Sequence, residues 1–324
     1  LSTIYIGGGT PSILSANQIA QLLVLLRDHF GIQYGAEITL EIDPASFDEV
    51  SLDGFLHAGV NRFSLGAQSF NDLVLVELGR RHTSKDLNYA CRLISGSFKE
   101  GKTFSWSLDL IQNLPGQDPV SWGEQIEKAI SFSPPHLSVY DLCIEKGTVF
   151  AWRQSRGELL LPNDEVAAEI SQITSNMLKQ EGFSRYEISN YALPGHTSRH
   201  NRVYWSNSNW WGFGQGATSC IGGERFSRPR TREEYKKWIE LLEVKGFKNF
   251  FSSIKENRSI PLDDLIIVGL RRREGINLKE LLNGFGWSGY KIDQSLICLK
   301  KRLKSQFEMG LVKQIGYRFY LTDP

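Results

Sequence analysis

Long hydrophobic runs are missing from this chain of 324 residues. None approaches the roughly 20 apolar residues that a bilayer-spanning helix needs, so no stable membrane insertion is expected. Charge of one sign is missing too. Lys and Arg number 37 against 36 Asp and Glu, a formal net charge of +1, so no overall field points to nucleic acid or to a membrane. Cysteine is scarce: Cys91, Cys143, Cys220 and Cys298 stand far apart, with no CxxC or CxxxC pair. That excludes a disulfide framework as the basis of the fold and suits a reducing compartment, which predicts a cytoplasmic location. No signal peptide is visible. The chain opens on Leu1 and enters an apolar strand by Thr3. This abrupt start predicts further residues upstream, and an organelle-targeting peptide among them is the alternative to the cytoplasm.

What remains is an ordinary globular composition, with hydrophobic residues at 41% and charged residues at 23%, enough to bury a sizeable core. The charge is uneven. Thr231–Pro324 carries 18 Lys and Arg against 12 Asp and Glu, while the rest of the chain is acidic. A solvated basic face accounts for this, and a patch for an anionic partner is the sharper alternative.

Strand and helix patterns alternate through the first half. Strands are expected at Thr3–Ile6, Glu37–Ile42, Arg62–Gly66, Thr103–Asp109 and His136–Leu142. Helices are expected at Asn17–Phe30 (with Ser15 as cap), Ser46–His57, Asp72–Leu78, Ser84–Ser95, Pro119–Ser131 and Asp164–Glu181. Such repetition implies a parallel sheet closing partway into an open β/α barrel. Residues 196–230, rich in Gly, Asn, Trp and Ser, read as a long irregular segment. Helices at Asp263–Arg273, Leu278–Leu282 and Lys291–Phe307, then a hairpin around Ile315-Gly316, resemble a winged helix. The expected organisation is a partial barrel over 1–195, the connecting segment over 196–230, and a C-terminal α+β winged-helix-like domain over 231–324.

Gly7-Gly8-Gly9-Thr10-Pro11-Ser12 follows the first strand. Three glycines exceed what a strand-to-helix turn needs, and they let the backbone approach a ligand closely. No Gly-Lys-Ser/Thr follows, so this is not a P-loop. Polar residues also close three separate strands: Glu41, Gln68 and Asp109. Each alone could be a structural acid or amide. Together they fall where side chains at C-terminal strand ends line the mouth of a barrel.

These pieces resemble the radical S-adenosylmethionine (SAM) family related to oxygen-independent coproporphyrinogen III oxidase. Ile4-Tyr5-Ile6-Gly7-Gly8-Gly9-Thr10-Pro11-Ser12 is similar to the family's GGGTP motif. Arg62–Phe70 with Leu78–His82, and Ser107–Gln117, are similar to two further family stretches. The resemblance implies a partial barrel of the radical SAM type. It also implies SAM contacts at Gly8, Gly9, Thr10, Glu41, Gln68, Arg80, Asp109 and Cys143. The family's CxxxCxxC loop, which holds a [4Fe–4S] cluster, is not in this sequence, so the cluster is expected only in a longer protein and no metal ligands are assigned here.

His200-Asn201-Arg202-Val203-Tyr204 is similar to the HNxxY signature of the haem chaperones within that family. The resemblance makes His200, Asn201 and Tyr204 candidate haem contacts. It implies haem as cargo, haem-requiring membrane proteins as acceptors and a possible homodimer. Trp205, Trp210, Trp211 and Phe213 could cover a porphyrin face, and Arg202, Arg225, Arg228 and Arg230 could meet its propionates. A histidine beside aromatics is also common as a plain structural residue. His82 and His196 are weaker ligand candidates, and Cys220 reads as a small buried residue. The alternative within the family is the oxidase itself, so whether the chain catalyses a reaction stays open. A DNA-binding role for the C-terminal wing would leave the glycine loop and the polar strand ends without purpose, so no nucleic acid partner is expected.

Overall fold

Period-two alternation along five early strands sends apolar side chains to one face and polar ones to the other. The strands are β1 (Thr3–Ile6), β2 (Glu37–Ile42), β3 (Arg62–Gln68), β4 (Ser105–Gln112) and β5 (His136–Asp141). In the computed structural model, which describes residues 1–246 and 260–322, they pair in parallel and in sequence order. Leu40, Phe63, Leu65, Trp106, Leu108 and Leu137 form the apolar face and are fully buried. Helices α1 (Ala16–Phe30), α2 (Glu49–Ala58), α3 (Asp72–Glu77), α4 (Ser84–Lys99), α5 (Pro119–Ile130), α6 (Val149–Ser155) and α7 (Asp164–Gln180) run between or after these strands. Ile19, Leu23, Phe55, Leu87, Ile94, Ile126, Ile170 and Leu178 complete the core from the helix side.

The expected partial barrel is what forms, as a mixed rather than a wholly parallel sheet. Beyond β5 it ends in β6 (Ser184–Glu187) and β7 (Asn190–Ala192), where β7 runs antiparallel to β5 and β6 antiparallel to β7. A two-residue connection leaves no room for a crossover helix, so the chain must turn back on itself. Ser15 caps α1 as expected, in a capping box with Gln18. The short α6 was not expected from the sequence.

Trp122 shows how α5 and α7 are locked. Its ring is 1% exposed, and its Nε1–H donates to Thr174 Oγ1 at 2.7 Å, which in turn donates to Gln112 Oε1 at 3.0 Å. Trp122→Ala removes a large core side chain and leaves that hydroxyl short of a donor. The expected cost is about 3–5 kcal/mol of stability, read by urea unfolding.

The chain divides into two compact units, Leu1–His200 and Asn201–Thr322. In the second, β8 (Thr218–Ile221) and β9 (Glu224–Ser227) form a hairpin, and α9 (Arg232–Lys245) follows. Then come helix Leu262–Leu270, β10 (Ile276–Asn277), helices Leu278–Gly284, Tyr290–Arg302 and Lys304–Glu308, and the wing β11 (Val312–Ile315) and β12 (Arg318–Leu321). The sheet order β10-β12-β11 completes a winged-helix-like arrangement around Ile276, Leu282, Ile292, Leu296, Val312 and Phe319. Residues 247–259 and 323–324 of the expected C-terminal domain lie outside the described residues. The segment 196–230, expected to be irregular, contains helix α8 (Arg199–Trp205) as well as the β8–β9 hairpin.

Candidate functional site

The polar face of the sheet opens at the C-terminal strand ends into a cleft of about 340 Å3. Tyr5, Gly9, Thr10, Glu41, Asp43, Ser64, Gly66, Gln68, Arg80, Asp109 and Tyr140 line it. Six of the eight sequence-predicted SAM residues are therefore together: Gly9, Thr10, Glu41, Gln68, Arg80 and Asp109. Gly8 joins them through its N–H, which donates to Glu41 Oε2 at 2.9 Å. Cys143 lies beyond β5, exposed and not among the lining residues.

Each lining group is set by a local cause. Gly8 and Gly9 adopt φ of 83° and 59°, and a Cβ built on either would meet only open space. The loop thus bares its backbone to the cleft, with a conformation that glycine tolerates best. Asp109 is held from both sides: Ser64 Oγ donates to Oδ2 and Ser107 Oγ to Oδ1, both at 2.7 Å. Arg80 donates to Asp43 Oδ2 at 2.8 Å, and His82 sits 3.7 Å from the same oxygen. Burial pushes the Asp43 pKa up. The neighbouring His82 imidazole, the hydrogen bond from the Ala45 N–H and the Arg80 charge outweigh that and hold it below the usual carboxylate range. Burial, with Glu41 and Asp109 nearby, keeps the Tyr5 phenol protonated far into alkali.

Gln68 combines two signs of a ligand-facing residue. It is non-glycine at φ 59°, and its buried Oε1 has no hydrogen-bond partner. Three carboxylates, one of them paired with the Arg80 guanidinium, an unsatisfied amide oxygen and an open glycine backbone suit a zwitterionic ligand bearing hydroxyls. These are the functional groups of the amino-acid and ribose parts of SAM, so the residues present fit that group. Among the described residues no group of three or more His, Cys, Asp or Glu is placed to hold a metal ion. The four thiols are separate, and Cys91 is buried, its pKa raised to about 12 by desolvation.

The haem candidates fall on α8, where the four-residue spacing of His200 and Tyr204 is about one helical turn. His200 Nδ1 meets Thr3 Oγ1 at 2.9 Å, and its ring stacks on Tyr5 at 5.1 Å. Its pKa is lowered to about 4, chiefly by burial, with Glu37 opposing and Arg62 reinforcing. The imidazole is therefore neutral at physiological pH, the form that ligates iron. Tyr204 packs edge-on against Trp205 and Trp210. Arg202 pairs with Glu274 and Arg225 with Asp264, while Arg228 is buried over Trp211 and Trp238. Three of the four arginines considered for propionates are thus already engaged. Cys220 is buried, as expected. His196 bonds Ser105 Oγ, and His82 is buried against Ala67 O.

The depressed pKa of His200 has a consequence for stability. Between its ordinary value of 6.5 and about 4, the unfolded chain binds a proton that the native state refuses. Stability is then complete above pH 6.5 and falls as the pH drops towards 4. Urea unfolding at pH 7 and pH 5 should show this loss, and His200→Gln should flatten the slope between them.

A glycine loop and polar strand ends at the mouth of a partial parallel barrel define the radical SAM class of protein. The family model described as the Radical SAM superfamily matches residues 1–119. Coproporphyrinogen III oxidase (HemN) from Escherichia coli superposes with a TM-score of 0.75 at 23% identity, over 100% of this chain and 74% of that one, a likeness of fold. Heme chaperone HemW of Synechocystis is 41% identical over 284 residues, covering 87% of this chain and 67% of that protein. Heme chaperone HemW of Bacillus subtilis is 33% identical over 326 residues, covering 99% and 82%. The mitochondrial radical S-adenosyl methionine domain-containing protein 1 of Danio rerio is 33% identical over 284 residues, covering 85% and 62%. The chain belongs to the HemW family of the radical SAM superfamily.

Proposed function

We propose that this chain is the SAM-binding and haem-handling body of a haem chaperone. It binds SAM in the cleft at the strand ends, carries haem near the HNxxY helix, and passes haem to haem-requiring membrane proteins, with the complete protein as a homodimer. The observation that carries the reading is the convergence of Gly9, Thr10, Glu41, Gln68, Arg80 and Asp109, distant in sequence, on one cleft. Family membership and the HemW names of the relatives support haem as the cargo.

Bound SAM supplies a sulfonium-activated carbon. The chain's own residues position it. Glu41 fixes the glycine loop through Gly8 N–H, and the two serine hydroxyls aim the Asp109 carboxylate. Arg80, braced by Asp43, presents a cation for a carboxylate. His200, kept neutral, is the iron ligand in this reading. The [4Fe–4S] cluster belongs to the complete protein, and no step here runs through it.

The test uses the complete, cluster-reconstituted protein. Haem titration should give a saturable Soret band that weakens about tenfold or more in His200→Ala. Coproporphyrinogen should not be decarboxylated. Turnover of coproporphyrinogen would replace this reading with the oxidase.

A further inference from the structure

Behind the cleft, a polar chain runs on along the inner face of the barrel, past the Asp109 and Ser107 pair that the nucleotide reading uses. It begins at Asp109, whose Oδ1 accepts from Ser107 Oγ at 2.7 Å. Ser107 Oγ lies 2.9 Å from His136 Nδ1, and His136 Nε2 lies 2.8 Å from Tyr186 OH. Tyr186 OH accepts from the backbone N–H of Ser198 at 3.3 Å. Ser198 opens the segment whose next residues start α8, and the N–H groups of Arg199 and His200 donate to Glu37. His136 is 0% exposed and Tyr186 6%.

The direction of every link is forced. A carboxylate only accepts, so Ser107 donates to Asp109. Ser107 must then accept from His136, which places the single imidazole proton on Nδ1. With that proton on Nδ1, the neutral ring offers only a lone pair at Nε2, so the Tyr186 hydroxyl donates to it while the phenol oxygen accepts from Ser198 N–H. One neutral imidazole, Nδ1–H tautomer, satisfies both ends at once, and hydrogen bonds aligned this way polarise one another.

We propose that His136 is a positioning residue shared by the two candidate sites, orienting Asp109 through Ser107 and the start of the HNxxY helix through Tyr186 and Ser198. The inference rests on the SAM-and-haem reading above and assigns it a residue remote from both ligands. The fold builds the chain from β4, β5, β6 and the approach to α8, so no local sequence motif announces it.

The arms separate cleanly. In the complete, cluster-reconstituted protein, SAM affinity is read by calorimetry, haem affinity by the Soret band, and folding by thermal melting. Ser107→Ala should weaken SAM about tenfold and leave haem within about twofold. Tyr186→Phe should do the reverse. His136→Phe should weaken both, and His136→Gln, which keeps one donor and one acceptor, should recover much of each loss. Variants that melt as wild type yet bind both ligands unchanged would overturn the inference alone. So would Ser107→Ala and Tyr186→Phe giving the same ligand pattern. A wild-type protein that binds neither ligand overturns the parent reading and this inference with it.

Discussion

Gly7→Ala is expected to weaken SAM binding about a hundredfold or more, roughly 2.7 kcal/mol. A Cβ at Gly7 would lie 2.8 Å from Tyr5 Cε1 and 2.9 Å from Glu41 Cδ. Neither contact is tolerable, so one or both side chains must move. Both line the cleft, and Glu41 also anchors Gly8 N–H. One methyl group therefore disturbs the floor, the carboxylate and the loop together. Overpacking of this kind typically costs about 1–3 kcal/mol of stability, so the protein should still fold. Gly96→Ala in α4 is the matched control, because its added Cβ meets nothing within 4 Å. It should leave binding unchanged and raise stability by about 0.5–1 kcal/mol. Calorimetric titration of SAM into both variants decides the matter. Equal affinities would show that the Gly7 contact is not part of the binding site.

Glu37→Ala is expected to be the most damaging single change on the inner face. Glu37 is 4% exposed, and its carboxylate accepts from Arg199 N–H at 2.9 Å, His200 N–H at 3.0 Å and Ser198 Oγ at 3.4 Å. The pairing fastens α8 to β2 across more than 160 positions of sequence. Alanine removes all three acceptances at once. Charge-assisted bonds are worth about 1.5–3 kcal/mol each, so a loss of about 3 kcal/mol or more is expected. Glu37→Gln keeps one acceptor oxygen but turns an amide donor towards N–H groups, and should fall between. Urea midpoints check the stability, and amide exchange at Arg199 and His200 checks the location. Slow exchange there in Glu37→Ala would contradict the assigned anchor.

The cleft was legible in the sequence because its parts break local rules. Three glycines are more than a turn requires, and Glu41, Gln68 and Asp109 interrupt apolar strands where burial would disfavour them. The parallel core was legible from alternation alone. Other features had weaker signals or none. The β8–β9 hairpin carried a cue, two glycines between short strands, and both adopt positive φ, 61° and 80°, as a two-residue turn requires. Four-residue strands of mixed polarity hid it. Helix α8 was hidden by its arginine, asparagine and aromatic content, and it stands because Glu37 fixes its start from another strand. The antiparallel β6–β7 edge was not read as strands because each segment is too short to show alternation. The chain through His136 could not be read at all, since its partners lie 29 and 50 positions away.

The most direct test of the account is a crystal structure of the complete, cluster-loaded protein with SAM. The account predicts nucleotide density in the cleft bounded by Gly9, Glu41, Gln68, Arg80 and Asp109. Density on a different surface, with only solvent in that cleft, would contradict it.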